Sequence, residues 1–465
     1  MRAFLTPALL VMFAGTLFAQ PADRDITFDV GKGFMDAIDD FDVHADGRIV
    51  AVGEFTSVDN VPRNYIARLH RNGALDLTYV PVTNFSWINV LAHPLAADGS
   101  IIVGGSLDQT LATHLNRIDV TGAVDPSFHS GTGFQGAVNS ILRQPDGRLI
   151  VGGQFRVADG ESRHLIARLD SDGTLDESFI TGGGFEGFEV SALALQPDGK
   201  IIVTGSFQSY DGNPVRNLVR LNSEGSLDAT FSIGSGLDRD GTHLIAQPDG
   251  RIIVAGEFKK YNGTSAAGLV RINGDGSIDG SFTPGSGANS EISGMALQSD
   301  GRLVVIGGGI TEFNQVPRRQ IVRINKNGSV DDTFDPPVGF GFCRGLDVVV
   351  QNDGKILAGG LFLQYGSSDG TGLIRLNGNT PSAVPSDVSA DDVMLAPNPA
   401  TGAFMVTSTQ RVDRMIVRNL LGQTLSTYLP RSTRVRIDLS DQPPGMYLIE
   451  IQIGLVRRSL RVVRE

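Results

Sequence analysis

The chain has 465 residues, of which 58 are glycine and 41% are hydrophobic, and this combination suits an all-β protein with many tight turns. Its net charge of −12 is unevenly distributed. The segment from Val393 onward holds ten arginines against five acidic residues, a net +5, so residues 1–392 carry −17. An acidic body argues against a nucleic-acid partner, because phosphate contacts need a basic face.

Residues 1–19 are predicted to be a signal peptide. A single early positive charge, Arg2, precedes an apolar stretch from Ala8 to Phe18, and the small residue Ala19 follows. The stretch is too short to span a bilayer, and no later segment is long and apolar enough for a transmembrane helix. We therefore expect an exported protein without a membrane-spanning segment.

Residues 20–377 are predicted to contain seven repeats. An Asp-Gly turn and an Arg followed by Leu or Ile each occur seven times, about fifty residues apart. Short strands and turns repeated at this length are typical of propeller blades with four strands each. The sequence therefore predicts an all-β, seven-bladed β-propeller. The turn aspartates are Asp46, Asp98, Asp146, Asp198, Asp249, Asp300 and Asp353.

The third repeat gives the strands of one blade. Its apolar runs are separated by the turns Asp146-Gly147 and Asp172-Gly173, where glycine can adopt a positive φ. A turn centred on Asp172 places Leu169 opposite Leu175 across an antiparallel hairpin. We predict strands a to d at residues 137–144, 148–155, 164–170 and 174–179.

The same hairpin predicts a pair of opposite charges in each blade. The Arg of strand c lies eight residues before an Asp of strand d in every complete repeat. Directly opposed residues of antiparallel strands lie on one face of the sheet, so we expect structural Arg–Asp pairs and not catalytic ones. The pairs are Arg68–Asp76, Arg117–Asp125, Arg168–Asp176, Arg220–Asp228, Arg271–Asp279 and Arg323–Asp331.

The seventh repeat ends after Arg375 without its strand d. A matching segment, Asp25-Ile26-Thr27-Phe28, lies at the other end of the propeller sequence. We therefore predict that the N-terminal strand closes the last blade, with Asp25 opposite Arg375. Such closure leaves no open strand edge between the first and last blades.

Hairpin alternation assigns two faces to the disc. The short a–b and c–d turns form one face, here called the turn face, and the longer b–c and d–a loops form the other, the loop face. Binding residues concentrate on loops held by a rigid scaffold, so the loop face is the better candidate for recognition. Its aromatic residues either serve recognition or cap the blade interfaces. They are Trp87, Phe134, Phe188, Tyr210, Tyr261, Phe342 and Tyr365.

Small polar residues align at the start of strand a, where a propeller channel would lie. They either bind water, an ion or a polar ligand, or are simply hydrated in a water-filled channel. The predicted channel ring consists of Asp39, Asn89, Asn139, Ser191, Thr242 and Ser293.

The repeats resemble the bacterial delta-sixty repeat family. The motifs that carry the resemblance are QPDGKIIVTGSF at residues 196–207 and RLNSEGSLDATF at residues 220–231, and it extends from Asp25 to about Asn377. The resemblance implies a propeller-like domain in an exported protein and no established activity.

Residues 378–392 read as a linker, and residues 393–465 as a small Ig-like β-sandwich, because the fifty-residue period ends and short strand-like runs follow. Motifs in this segment resemble the type A sorting domain of the type IX secretion system. The residues that match it include Pro397, Asn398, Pro399, Gly402, Gly422, Gln423, Gly445 and Tyr447.

The sorting-domain resemblance implies passage through the outer membrane by a dedicated translocon after signal-peptide export to the periplasm. It also implies removal of the domain and then release or attachment at the cell surface. An ordinary accessory sandwich is the alternative for this segment.

Catalytic motifs are missing from the sequence. There is no HExxH motif, and the seven histidines are scattered over different repeats without ligand spacing. We therefore expect no enzyme activity, cofactor or metal, and we interpret the protein as an exported binding or structural module with an unknown glycan or protein ligand. The alternative is a secreted hydrolase that acts on polysaccharide or peptide through the loop face, which would need carboxylates or a His–Asp pair converging in one pocket.

Overall fold

The computed structural model describes residues 21–81, 87–106, 114–366, 368–369, 372–378, 393–396, 403–412, 414–419, 424–428, 430, 432–443, 445–453 and 456–464. The chain divides into two compact units, one over residues 20–378 and one containing residues 379–465. Every regular element in the described part is a β-strand, and no described helix could cross a membrane. The predicted signal peptide and all but the first residue of the predicted linker lie outside the described residues.

Seven antiparallel blades form the first unit, which confirms the predicted propeller. Each blade has an inner, a middle and a third strand. The inner strands are Ile38–Val43, Trp87–His93, Val138–Arg143, Phe185–Leu195, Gly241–Ala246, Gly294–Leu297 and Cys343–Val350. The middle strands are Ile49–Gly53, Ile101–Ser106, Leu149–Gly153, Ile201–Tyr210, Ile252–Gly256, Leu303–Ile306 and Ile356–Phe362. The third strands are Ile66–Leu69, His114–Ile118, Ile166–Leu169, Leu218–Leu221, Leu269–Ile272, Ile321–Ile324 and Leu373–Leu376.

Two-residue strands form small hairpins in the b–c loops. They are Ser57–Val58 with Val61–Pro62, Val157–Ala158 with Glu161–Ser162, Lys260–Tyr261 with Thr264–Ser265, Glu312–Phe313 with Val316–Pro317, and Gln364–Tyr365 with Ser368–Asp369. In the fourth blade Asn213–Pro214 pairs with the end of the long middle strand instead.

The fourth strand of each blade is much shorter than predicted. In the third blade it is reduced to the bridge between Leu169 and Leu175 and a hydrogen bond from the Asp176 N–H to the Arg168 carbonyl. The strand ends there because Asp176 Oδ1 accepts the N–H of Ser178, and this side-chain bond turns the backbone. The expectation of a strand over residues 174–179 was wrong for this reason.

The N-terminal segment closes the ring at the seventh blade. Arg24 forms an antiparallel bridge with Leu376, and the Asp25 N–H donates to the Arg375 carbonyl at 2.8 Å. As in the other blades, the chain then turns, with the Phe28 N–H donating to the Asp25 carbonyl. The last blade therefore takes its fourth strand from the beginning of the propeller sequence.

All seven Arg–Asp pairs are in contact in the structure. Arg Nε donates to Asp Oδ2 at 2.6–2.8 Å in each blade, and the guanidinium lies over a Phe or Tyr ring, 4.4–5.5 Å from its centroid. Burial opposes ionisation of Asp76, but hydrogen bonds from Thr78 and Arg68 outweigh it and lower the pKa of Asp76 to about 2. Each pair is thus an ionised, hydrogen-bonded unit.

The arginines also connect neighbouring blades. Nη1 of Arg68 donates to the Val120 carbonyl in the next blade at 2.7 Å, and Nη1 of Arg375 donates to the Arg71 carbonyl in the first blade at 2.6 Å. Clusters of buried apolar side chains lie at all seven junctions, including the one that joins Leu357 and Leu373 of the last blade to Ile49 of the first. Apolar contacts therefore continue around the whole ring, and the Arg375 bond joins the last blade to the first.

The second unit has two sheets that share one core. One sheet contains Val393–Ala396, Ala403–Val412 and Ser432–Asp438, and the other contains Thr424–Tyr428, Arg414–Asn419, Gly445–Ile453 and Val456–Arg464. Side chains from both sheets, among them Val406 and Ile449, pack in a single cluster, as in a β-sandwich.

Only two of the sorting-motif residues lie in the described part of this unit. Gly445 begins a strand, and Tyr447 is buried with its hydroxyl donating to the Pro443 carbonyl at 2.5 Å. Pro397, Asn398, Pro399, Gly402, Gly422 and Gln423 lie outside the described residues.

Removing the closing carboxylate should weaken the ring. Asp25→Ala leaves Arg375 buried without its counter-ion, so we expect the free energy of unfolding to fall by about 3–5 kcal/mol. Chemical denaturation of the full chain measures this change. The control is Asp125→Ala, whose side chain is 27% exposed against 5% for Asp25, and which should cost less. Equal losses in the two variants would contradict closure through Asp25.

Candidate binding site on the loop face

The loop face is held in place by a repeated side-chain clamp. In five blades an Asp or Asn at the tip of the b–c hairpin adopts a positive φ of 45–50° and accepts a backbone N–H from the adjoining d–a loop at 2.8–3.2 Å. The clamp requires glycine in the partner loop: a Cβ on Gly31 would lie 2.1 Å from Asp59 Oδ1. The clamp residues are Asp59, Asp159, Asp211, Asn262 and Asn314.

The aromatic residues of this face divide into two groups. Phe134, Tyr210, Tyr261 and Tyr365 are buried in the blade junctions, as the capping interpretation expected. Phe188 is 64% exposed and Phe342 is 74% exposed. The side chain of Trp87 lies outside the described residues. Only Phe188 and Phe342 of the described set therefore present a ring to solvent.

The predicted channel ring lies at β-bulges in the inner strands. The paired register skips Asp39, Asn89, Asn139, Ser191 and Thr242, while Ser293 and Gly294 both face Ile306. An extra residue at a bulge changes the direction of a side chain. Aligning the repeats placed these residues at one equivalent position, but the alignment does not indicate a bulge there.

Two ring side chains bind the next blade. Asn139 Nδ2 donates to the Val190 carbonyl at 3.3 Å and to Glu189 at 3.0 Å, and Ser293 Oγ donates to the Leu346 carbonyl at 2.6 Å. The inner strands of the second and third blades pair in parallel at Ala92–Ile141 and His93–Leu142. Asn139 and Ser293 bond to carbonyls that the sheet pairing of the next inner strand leaves free. Part of the ring therefore joins blades, a role that neither sequence interpretation included. The side chain of Asn89 lies outside the described residues.

A charged cluster that the sequence analysis missed joins the inner strands of the first two blades. His93 Nδ1 lies 3.0 Å from Asp42 Oδ2, and its Nε2 lies 3.0 Å from Asp40 Oδ1. Carboxylates only accept hydrogen bonds, so both ring nitrogens carry protons. Desolvation opposes this charge, but Asp40 and Asp42 hold the pKa of His93 well above 6.5. The ring is an imidazolium clamped between two carboxylates.

Nearby carboxyl groups have raised pKa values. Burial, followed by the charge of Asp40, raises the pKa of Asp347 to about 7, and burial with Glu54 and Asp40 raises that of Asp39 to about 6. Asp347 belongs to the seventh blade, beside the first, so the cluster spans three consecutive blades. No group of three or more His, Cys, Asp or Glu within the described residues is placed to hold a metal ion.

Repeat alignment contained a partial signal for this cluster. Asp40 and Asp347 occupy one aligned position, six residues before the turn aspartate, in repeats that adjoin only when the ring closes. His93 carries no such signal, because residues 93–97 include a length change between strand a and its turn. The contact of His93 with both aspartates follows from packing between blades.

A cleft of about 1050 Å³ opens on the loop face between the fourth and fifth blades. Phe188 lies in its fourth-blade wall, and Arg239, Asp240 and Glu257 line the opposite side. Burial and the carboxylates of Glu257 and Glu189 raise the pKa of Asp240. The cleft combines an exposed aromatic ring with donors and acceptors of both charges, so it can bind a polar organic molecule.

Family comparisons cover both units. A family model described as a domain of unknown function (DUF5122) beta-propeller matches residues 44–79, 96–128, 144–179, 196–231, 247–282, 298–334 and 351–379. A second model, described as a secretion system C-terminal sorting domain, matches residues 394–463. These matches confirm the two resemblances found in the sequence. A search of curated proteins finds no match.

Several solved structures are distantly similar. PorZ, an essential surface component of the type IX secretion system of Porphyromonas gingivalis, is 12% identical with a TM-score of 0.41, over 97% of this chain and 60% of that one. YCF48 bound to D1 peptide is 14% identical with a TM-score of 0.40, over 78% of this chain and 99% of that one. The chain thus spans 60% of the length of PorZ, and at these scores neither structure indicates what it binds.

The two inner-strand histidines should titrate differently. His93 should be protonated at pH 7, whereas burial lowers the pKa of His243 to about 4 and keeps that ring neutral. NMR titration of histidine-labelled protein, assigned with His93→Asn and His243→Asn, measures both values. Because its folded pKa is raised, the stabilisation from His93 should be complete below 6.5 and lost as the pH rises through that folded pKa. Titration of His93 at or below 6.5 would contradict the clamp.

Proposed function

This chain belongs to the DUF5122 β-propeller family, and we propose that it is an exported, non-enzymatic binding protein whose loop face recognises an extracellular glycan or protein. The C-terminal sorting domain implies secretion or a cell-surface location. In this proposal the type IX translocon and its sorting machinery are the partners of residues 393–465, and the propeller carries the recognition function.

The observation that carries the proposal is the pair of exposed aromatic rings on a rigid loop face. Phe188 and Phe342 are largely solvent-exposed, although the other described aromatics of this face are packed. Aromatic residues supply much of the binding energy at recognition surfaces. The side-chain clamps order the loops before any ligand binds, which lowers the entropic cost of recognition.

Many carboxylates bind other side chains of the protein, and this supports a non-enzymatic role. The seven strand-d aspartates bind arginines, and Asp40 and Asp42 bind His93. Glu189 accepts hydrogen bonds from Asn139, Gln154 and Ser191. A general acid or base must instead be within reach of a substrate atom.

A polysaccharide hydrolase is the second candidate, and the cleft between the fourth and fifth blades favours it. Asp240, with its raised pKa, and Glu257 line the same cleft. A carboxyl group with a raised pKa beside a second carboxylate is the arrangement that glycosidases use. Turnover of a polysaccharide that is abolished by Asp240→Asn would replace the binding role with this one.

Variants of the two faces test whether ligand binding depends on the loop face or on the turn face. The full chain, a Phe188→Ala/Phe342→Ala variant and a Val80→Ala/Ile180→Ala control are applied to a glycan array, an extracellular protein array and a hydrolase substrate panel. Val80 and Ile180 are exposed to a similar degree, and their N–H groups bond to c–d turns of the next blade, which places them beside the turn face.

We expect the loop-face variant to lose about tenfold or more in affinity because it lacks both rings, while the control binds like the wild type. We expect no turnover from any of the three proteins. Equal binding by the two variants, or no binding by the wild type, would overturn the assignment of recognition to the loop face.

A further inference from the structure

We propose that the cleft between the fourth and fifth blades binds the sugar rings of a neutral oligosaccharide, with the Phe188 ring stacked on the carbon–hydrogen face of one pyranose. The inference rests on the proposed function, because it takes the loop face as the recognition surface. It adds the place of binding, the ligand class and the residue that makes the central contact.

Phe188 is placed by an irregularity that belongs to the fourth blade. The inner strand Phe185–Leu195 and the middle strand Ile201–Tyr210 are the longest in the described propeller, and their register shifts on both sides of Gly187. The bulge skips Phe188 in the pairing and leaves its ring in solvent. In the aligned position of other repeats stand Asp36, Gly136, Arg239, Ser290 and Cys343, so the fold does not require an aromatic residue there.

The blade has other aromatic residues for its own packing. Phe185 lies 4.5 Å from both Phe207 and Tyr210, measured between ring centroids, and all three are buried. Phe188 lies beside this cluster but is largely exposed, so its ring contributes little to the packing of the blade. An exposed apolar side chain at the wall of a cleft is typical of a binding position.

The opposite wall supplies the polar contacts. Arg239 and Glu257 are exposed, and Asp240 is half-buried with a raised pKa, so these groups can both donate to and accept from hydroxyls. Asp238 shapes the wall instead, because its Oδ1 accepts the N–H groups of Lys259 and Lys260 at 2.8 Å. One flat apolar ring facing a mixed polar rim matches a pyranose, which has an apolar face and a hydroxyl edge.

Charge and shape favour a neutral sugar over a peptide or an anion. Arg216 and Arg239 share the cleft with three carboxylates, so no net positive field selects an anion; the carboxylates are Asp238, Asp240 and Glu257. The lining also lacks the enclosed apolar pocket in which a peptide anchor would be buried. A volume of about 1050 Å³ is large enough for more than one sugar ring.

Calorimetry of the full chain with cellohexaose, xylohexaose, mannohexaose and chitohexaose tests the assignment, and saturation-transfer NMR identifies the sugar protons in contact. We expect at least one of the four to bind, with affinity lowered about tenfold in Phe188→Ala and retained in Phe188→Trp. Ile180→Ala is the matched control, because Ile180 is 60% exposed against 64% for Phe188 but lies beside the turn face and does not line this cleft. Glu257→Gln should weaken binding without changing the stacked protons.

Binding of none of the four sugars, or an affinity within about twofold of wild type in Phe188→Ala, would overturn the inference. A protein ligand that is lost in the Phe188→Ala/Phe342→Ala variant would then leave the loop face as a recognition surface and refute only the sugar. If neither sugars nor proteins depend on this face, the inference and the proposed function both fail.

Discussion

The propeller depends on one arginine in each blade, and this arginine is buried in six of the seven blades. In every blade its Nε binds the aspartate of strand d and its guanidinium stacks on an aromatic ring. In six blades of the described propeller its Nη1 also reaches a turn carbonyl of the next blade, as in Arg168 with Ser223. A buried charge is tolerated only when its hydrogen bonds are satisfied. A repeated Asp-x-Ser/Thr-Phe/Tyr segment supplies both the aspartate and the aromatic ring in each blade.

The same contact explains why the ring closes and why one face is left for recognition. Arg375 finds its aspartate only in the N-terminal segment and its carbonyl only in the first blade, so the last arginine requires a circle. The turn face is occupied by these repeated links between blades. The loop face is held by side-chain clamps in five blades, and it varies from blade to blade. A closed scaffold with one variable face suits an exported binding protein.

The periodic part of the structure could be predicted from sequence because local rules determine it. The spacing of Arg168 and Asp176 determines which residues face each other across a tight turn, and the incomplete seventh repeat identifies Asp25 as its missing partner. The prediction for strand d was too long, because the pattern of apolar residues does not indicate that the Asp176 side chain will turn the backbone. Bulges were missed for a similar reason, since they depend on the partner strand.

Contacts between side chains of different blades could not be predicted from the sequence. His93 contacts Asp40 and Asp42 across a junction, and Phe188 shares a cleft with Arg239 and Glu257 of the fifth blade. No local rule relates residues at these separations. The aromatic residues show the same limit. Tyr210 and Phe188 stand in one repeat and looked alike in sequence, yet one is buried and the other exposed. Burial was decided by the register of two long strands.

Hydrogen exchange in the native protein tests the closed ring most directly. The N–H of Asp25 donates to Arg375 and that of Asp176 donates to Arg168, so the two are equivalent bonds in the last and third blades. A closed ring predicts the same slow exchange for the peptides that contain them. Fast exchange at Asp25, with Asp176 still protected, would show that the N-terminal segment is not part of the last blade and would contradict the account.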